Sequence, residues 1–198
     1  MRIGVLALQG DFAEHLAALR RLGVEAIEVR LPQALDELAG LIIPGGESTT
    51  IGKLATQYGL LEPLKRFGAA RPIWGTCAGA IFLSQDAQRD QPLLGLMATT
   101  VERNAFGRQA ASFEIDLSVP ALREPKRPFR AVFIRAPVIA TAGEGVEILA
   151  QLPEDQGTKT RIVAARQGHL LATCFHPELS EDDRFHAFFL QIVAGVQP

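Results

Sequence analysis

Ile73-Trp74-Gly75-Thr76-Cys77-Ala78-Gly79-Ala80-Ile81-Phe82-Leu83 reads as a short apolar strand, a sharp turn and an apolar helix start. Its Gly-x-Cys-x-Gly core has the layout of the G-x-S-x-G nucleophile elbow, with sulfur in place of oxygen. A nucleophile on such a turn stands above the carboxyl edge of a sheet. The turn also brings strand and helix so close that a side chain at 75 or 79 would clash, which glycine avoids. Free N–H groups at the helix start favour a thiolate at Cys77, and the Ala78 N–H is placed to donate to an oxyanion beside the sulfur. An inert buried cysteine would need neither flanking glycine.

Outward from the elbow, short apolar runs alternate with helical patterns. Ile3 to Leu8, Ala26 to Val29, Gly40 to Ile43 and Pro72 to Thr76 read as strands. Helical periodicity follows Asp11, which can cap its helix, and covers 49 to 67 with a break at Gly59. This β-α rhythm predicts an α/β fold: a doubly wound, largely parallel sheet with helices on both faces. In the second half, Ser112 to Leu117, Ala131 to Arg135, Val146 to Leu152, Ile162 to Arg166 and Leu170 to Phe175 are strand-like with little helix between. They predict an antiparallel extension, followed by a helix from Asp182 to Val196. With no repeat or linker in view, residues 1–198 are expected to form one domain.

Composition narrows the function classes. A formal net charge of −2 gives no reason to expect nucleic acid or an anionic membrane as partner. The basic stretch Arg123 to Arg130 is broken by Pro125 and Pro128 and reads as a solvated loop. Two cysteines, no signal-peptide layout and no long apolar run point to a soluble chain of a reducing cytoplasm.

Four histidines could serve Cys77 as base. His186 lies among phenylalanines and reads as packing, His169 as an exposed turn residue, and His15 as a helix-surface residue. His176 differs. It ends a strand and precedes Pro177-Glu178, and in an extended segment Glu178 would project to the same side and orient the imidazole. Cys174, two residues earlier, reads as packed inside the last strand. Cys77, Cys174, His176 and Glu178 lack the spacing of a zinc site, so no metal is expected.

Leu41-Ile42-Ile43-Pro44-Gly45-Gly46-Glu47-Ser48-Thr49-Thr50 is a strand, a glycine turn and a helix start that Ser48 or Thr49 can cap. Gly45 and Gly46 let backbone N–H groups face a ligand, and one good oxyanion donor is worth about 2.7–4 kcal/mol in the transition state. The phosphate-loop lysine pattern and G-x-G-x-x-G are both absent. Gln9-Gly10, Gly45-Gly46 and Cys77 all fall at the carboxyl ends of strands, where open α/β sheets bind ligands.

In chain order, PGGES (44–48), GTCAG (75–79) and FHPE (175–178) resemble the class I, or triad, glutamine amidotransferases. With ALQGDFAEH (7–15), VERNAFGRQ (101–109) and VFIRAP (132–137), the whole chain looks like the glutaminase subunits of pyridoxal 5′-phosphate synthases. Only 153–160 departs, being longer than expected between its flanking strands.

The resemblance implies a flavodoxin-like class I amidotransferase fold and hydrolysis of L-glutamine to glutamate and ammonia. Cys77 would be the nucleophile, with His176 as base and then acid, and Glu178 as its orienter. Gly46, Glu47, Ser48, Arg103, Ile134 and Arg135 would bind glutamine, the arginines suiting its α-carboxylate, and the Gly46 and Ala78 amides would form the oxyanion hole. It implies no cofactor, and as partner a (β/α)8-barrel synthase subunit that takes the ammonia. A redox sensor of similar fold using Cys77 is the competing reading; it leaves His176, Glu178 and the PGGES loop without a task.

Overall fold

The computed structural model describes residues 1–103, 105–106, 112–152 and 161–195. The chain runs β1 (Arg2–Leu6), α1 (Phe12–Arg21), β2 (Glu25–Val29), β3 (Gly40–Ile43), α2 (Ser48–Gln57), α3 (Leu61–Ala70), β4 (Ile73–Thr76), α4 (Ala78–Leu83) and β5 (Ser84–Asp86). It continues through β6 (Met97–Glu102), β7 (Ser112–Leu117), β8 (Phe129–Ile134), β9 (Val138–Ala142), β10 (Glu147–Leu152), β11 (Arg161–Gln167), β12 (Leu170–Thr173) and α5 (Arg184–Val193). A 3-10 turn, Pro177–Leu179, links β12 to α5.

The main sheet has the order β2-β1-β3-β4-β12-β11-β9-β6-β5, with β10 paired to β11. Its first five strands are parallel. Antiparallel pairing begins at β11 and continues through β9 to β6, so the expected parallel core and antiparallel extension are both present. The strands β3, β4 and β12 are buried at every position, because helices cover both faces of a parallel sheet. Neighbouring residues of β4 face opposite sides. Ile73 lies where a Cβ on Gly68 of α3 would touch it, whereas Trp74 packs against His15 of α1 and Phe185, His186 and Phe189 of α5. Burying aromatic rings of this size contributes several kcal/mol; truncating one to alanine typically costs about 3–5 kcal/mol.

Several expectations need correction. The first strand ends at Leu6 rather than Leu8, and β5, β6 and β9 were not read from the sequence at all. β7 and β8 form a separate two-stranded sheet instead of joining the extension. It docks through Phe129 and Phe133, which pack on Phe175. Of the loop expected over Arg123 to Arg130, 123–128 is exposed, but Phe129 and Arg130 already belong to β8, and Arg184 of α5 donates to the carbonyls of Arg123, Arg127 and Pro128. The helix expected over 182–196 spans Arg184–Val193; residue 196 and the long 153–160 segment lie outside the described residues. No helix among the described residues is long and apolar enough to cross a membrane.

The strand order reverses between β1 and β3, which opens a crevice beyond their carboxyl ends. Gln9-Gly10 follows β1 there, Gly45-Gly46 follows β3, and Cys77 follows β4 next door.

Candidate active site

Cys77 sits between β4 and α4 at φ 47°, ψ −104°. A non-glycine residue in such a conformation carries strain on the order of 1–3 kcal/mol. Its surroundings hold it there: its N–H donates to the Thr173 carbonyl of β12 at 2.8 Å, and its own carbonyl accepts from Ala80 N–H at 3.2 Å. Both flanking glycines are explained by backbone approach. A Cβ on Gly75 would stand 2.4 Å from the Gly79 carbonyl oxygen, and one on Gly79 would stand 2.0 Å from that of Ile43. The Ala78 N–H, first in α4, has no intrahelical carbonyl to bond.

His176 is buried beside Cys77, and its Nδ1 lies 2.7 Å from Glu178 Oε1. Nε2 is therefore the nitrogen left for sulfur. The expected pairing forms, but the segment is a 3-10 turn, not an extended strand. Pro177 opens that turn, and the turn swings Glu178 back beneath the ring. Burial opposes charge on His176, yet its hydrogen bond to Cys77 and then Glu178 outweigh this and shift the imidazole upward. Burial pushes the Glu178 carboxyl upward as well. The 2.7 Å contact favours the charged pair, with the proton on the histidine.

Asp11 does not cap α1; its side chain turns inward, with Oδ2 3.4 Å from His176 Nδ1. The Gly45 backbone packs on the same ring, for a Cβ there would lie 2.5 Å from His176 Cε1. Gly10, at φ 101°, admits the Gly45 carbonyl, which accepts from Asp11 N–H. Gln9 accepts from Glu47 N–H at 2.8 Å.

The cap of α2 is Glu47, which accepts from Thr50 N–H at 2.8 Å, and neither Ser48 nor Thr49. Arg103 donates to the other oxygen of Glu47 at 2.7 Å, and to Thr49 and Gln91. Burial would raise Glu47, but the Thr50 bonds and Arg103 prevail and hold it down at about 2. A depressed carboxylate stabilises above its unfolded value and loses that contribution as pH falls through its folded one. Glu47→Gln should therefore lower the melting temperature at pH 7, and the gap should close as pH drops from about 4 toward 2. The side chain is 45% exposed, so solvent screening keeps the effect below about 1 kcal/mol. A gap that stays constant over that range would show that the charge contributes nothing.

These elements enclose a cavity of about 950 Å³. Cys77, Ala78, His176, Gly46, Glu47, Ser48, Arg103, Ile134 and Arg135 all line it, while Glu178 stands behind His176. Arg135 takes φ 45° at the exposed rim. The sequence reading missed the wall formed by Asp11, Ile81, Phe106, Ala136, Pro137 and Leu179. Ala136 and Pro137 are the last two residues of FIRAP itself, so the motif already held their signal; Leu179 follows Glu178 directly.

Two more residues differ from expectation, and a third, Cys174, is packed inside as expected. His15, read as surface, is fully buried, with Nδ1 3.0 Å from His186 Nε2 and Nε2 3.1 Å from Thr76 Oγ1. His169 is half-buried and bonds the Gly68 carbonyl at 2.8 Å. Cys174 lies one residue beyond β12, fully buried, and burial pushes its thiol far up. Asp11, His176 and Glu178 bring three possible metal-binding atoms within 4.8 Å of one another. The hydrogen bond between His176 and Glu178 already occupies the central pair.

A model of the SNO glutamine amidotransferase family matches residues 5–195. The pyridoxal 5′-phosphate synthase subunit PdxT of Roseiflexus castenholzii is 56% identical over 196 residues, covering 97% of this chain and 100% of that one. PdxT of Herpetosiphon aurantiacus is 58% identical over 195 residues, covering 96% and 99%. A crystal structure of a glutamine amidotransferase matches with a TM-score of 0.88 and 51% identity, covering 97% of this chain and 98% of that one. The structure of PurLQS from Thermotoga maritima, at 18% identity and TM-score 0.71 over 98% and 97%, shares the fold alone.

Proposed function

The chain belongs to the SNO glutamine amidotransferase family, and on that premise we propose that it hydrolyses L-glutamine through Cys77, His176 and Glu178. The ammonia supplies a synthase subunit for pyridoxal 5′-phosphate (vitamin B6) synthesis, as the PdxT names of its relatives indicate. The observation that supports the residue roles most strongly is convergence. Residues from five separate segments, three read from local sequence chemistry and two (Arg103 and Ile134-Arg135) implied by the family resemblance, border one cavity around a strained cysteine.

The Cys77 thiolate attacks the side-chain amide carbon and forms a tetrahedral oxyanion, which the Ala78 and Gly46 N–H groups stabilise. His176 protonates the departing nitrogen, and ammonia leaves a thioester. His176 then takes a proton from water, and the resulting hydroxide cleaves the thioester to glutamate. Glu178 holds the ring by Nδ1 so that Nε2 serves both transfers. Arg103 and Arg135 receive the α-carboxylate, while Ile134 and Ser48 complete the walls. The continuous hydrophobic core supports reading 1–198 as one amidotransferase domain. We take the partner to be a (β/α)8 barrel and the compartment to be the cytoplasm. Nothing favours redox sensing: Cys77 is 6% exposed, and such a role leaves the cavity without a task.

The test is ammonia release from glutamine, with and without the synthase subunit. Release that rises when the synthase subunit is added is the expected result. Folded protein releasing none in either condition would overturn the assignment.

A further inference from the structure

Glu178 uses only one of its oxygens on His176. Oε2 is buried and has no hydrogen-bond partner among the described residues. The group closest to filling that need comes from α1: His15 Nε2, 3.3 Å away. Both side chains are fully removed from solvent. A buried anion with an empty acceptor is costly, and the mechanism needs Glu178 ionised throughout.

The proton on His15 can be placed by elimination. His186 Nε2 faces His15 Nδ1, and His186 Nδ1 is buried without a partner among the described residues. An orphaned N–H costs more than an orphaned lone pair, so His186 carries its proton on Nε2 and donates it to His15 Nδ1. His15 then holds its own proton on Nε2, between Thr76 Oγ1 at 3.1 Å and Glu178 Oε2. The opposite tautomer would aim a bare lone pair at a carboxylate. Burial, then the charges of His186 and His176, push His15 well below the usual histidine range, so this ring is neutral.

We propose that His15 is a positioning residue for glutamine hydrolysis, its neutral Nε2–H stabilising the Glu178 carboxylate that orients His176. A neutral donor suits the task. It steadies the anion without placing a second full positive charge beside it, so the carboxylate stays available to the imidazolium that forms on His176. The residue touches neither substrate nor sulfur; it acts through Glu178 alone.

This inference rests on the glutaminase reading, and the experiments separate the two. Ring-nitrogen NMR of the full, unmutated chain labelled on histidine should show His15 neutral with its proton on Nε2 at pH 7. An Nδ1–H tautomer or an imidazolium would overturn the proposal whatever the activity. In assays with the synthase subunit present, His15→Met should lower kcat by about tenfold or more with KM little changed. His15→Gln, whose amide N–H reaches the place of Nε2–H, should stay within about threefold of the parent. On a Glu178→Gln background, His15→Met should add less than about twofold, since partners in one network are not additive. Multiplying losses, or equal damage from Gln and Met per folded molecule, would assign His15 a packing role only. Failure of the unmutated chain to release ammonia would sink the glutaminase reading and the positioning role with it.

Discussion

Cys77→Ala is expected to abolish ammonia release from glutamine, a fall of about 10⁴-fold or more, and to leave the fold intact. The size follows from what the sulfur does. Without it no thioester can form, and water must attack an amide directly with only the oxyanion donors and substrate positioning to help. The fold survives because the 2.8 Å bond from the residue 77 N–H to Thr173 belongs to the backbone, and alanine fits wherever cysteine did. The strain at φ 47° is common to both residues. Thermal unfolding should shift by no more than about 1 kcal/mol. The variant should also lower the His176 pKa, since the hydrogen bond that His176 donates to the Cys77 sulfur helps to raise it. Undiminished hydrolysis in Cys77→Ala would remove the nucleophile assignment.

The second large effect is structural. Gly79→Ala places a Cβ 2.0 Å from the Ile43 carbonyl oxygen, which belongs to a central strand and cannot yield. Helix α4 must lift off the sheet, and it carries the Ala78 N–H with it. Helix propensity favours alanine by up to about 1 kcal/mol, so the net outcome decides between two known effects. Overpacking against backbone should win, with a cost of about 3 kcal/mol or more. For a chain of this length each kcal/mol is about 2–4 °C, so melting should fall by about 6–12 °C. Gly59→Ala is the comparison, for no atom stands within 4 Å there and only φ 67° resists. A Gly79→Ala variant melting within about 2 °C of the parent would show that the close approach is not a constraint.

What the sequence made legible was local. Gly75 and Gly79 flank Cys77 within a single turn, so their spacing already encodes the backbone approach that the structure displays. His176 and Glu178 are two residues apart, and their pairing survived even though the turn between them is 3-10 instead of extended. The apolar runs of β3 and β4 could be read because strands buried on both faces have no polar positions to confuse the pattern. The illegible parts depend on distant chain. His15 is buried by distant chain: β4 brings Trp74 and Thr76, the 3-10 turn brings Glu178, and α5 brings His186 from 171 residues away. Glu47 outcompetes Ser48 as a cap because its longer side chain reaches back to Thr50 while Arg103 steadies it from β6's far end. β9 hid because Ala140 and Ala142, which carry little strand signal of their own, leave an apolar run of only Val138 and Ile139.

The pairing of β4 with β12 sets a timetable for synthesis. Thr76 lies opposite Thr173, nearly a hundred residues further on. At a translation rate of about 5–20 residues per second, β4 waits roughly 5–20 s on the ribosome for its neighbour. During that interval the nascent chain holds Cys77 without His176 or Glu178, and under the proposed mechanism it consumes no glutamine. It also presents an open, largely apolar sheet edge at β4, the kind of surface that recruits chaperones or misassociates. Silence before completion and vulnerability before completion thus come from one inserted strand.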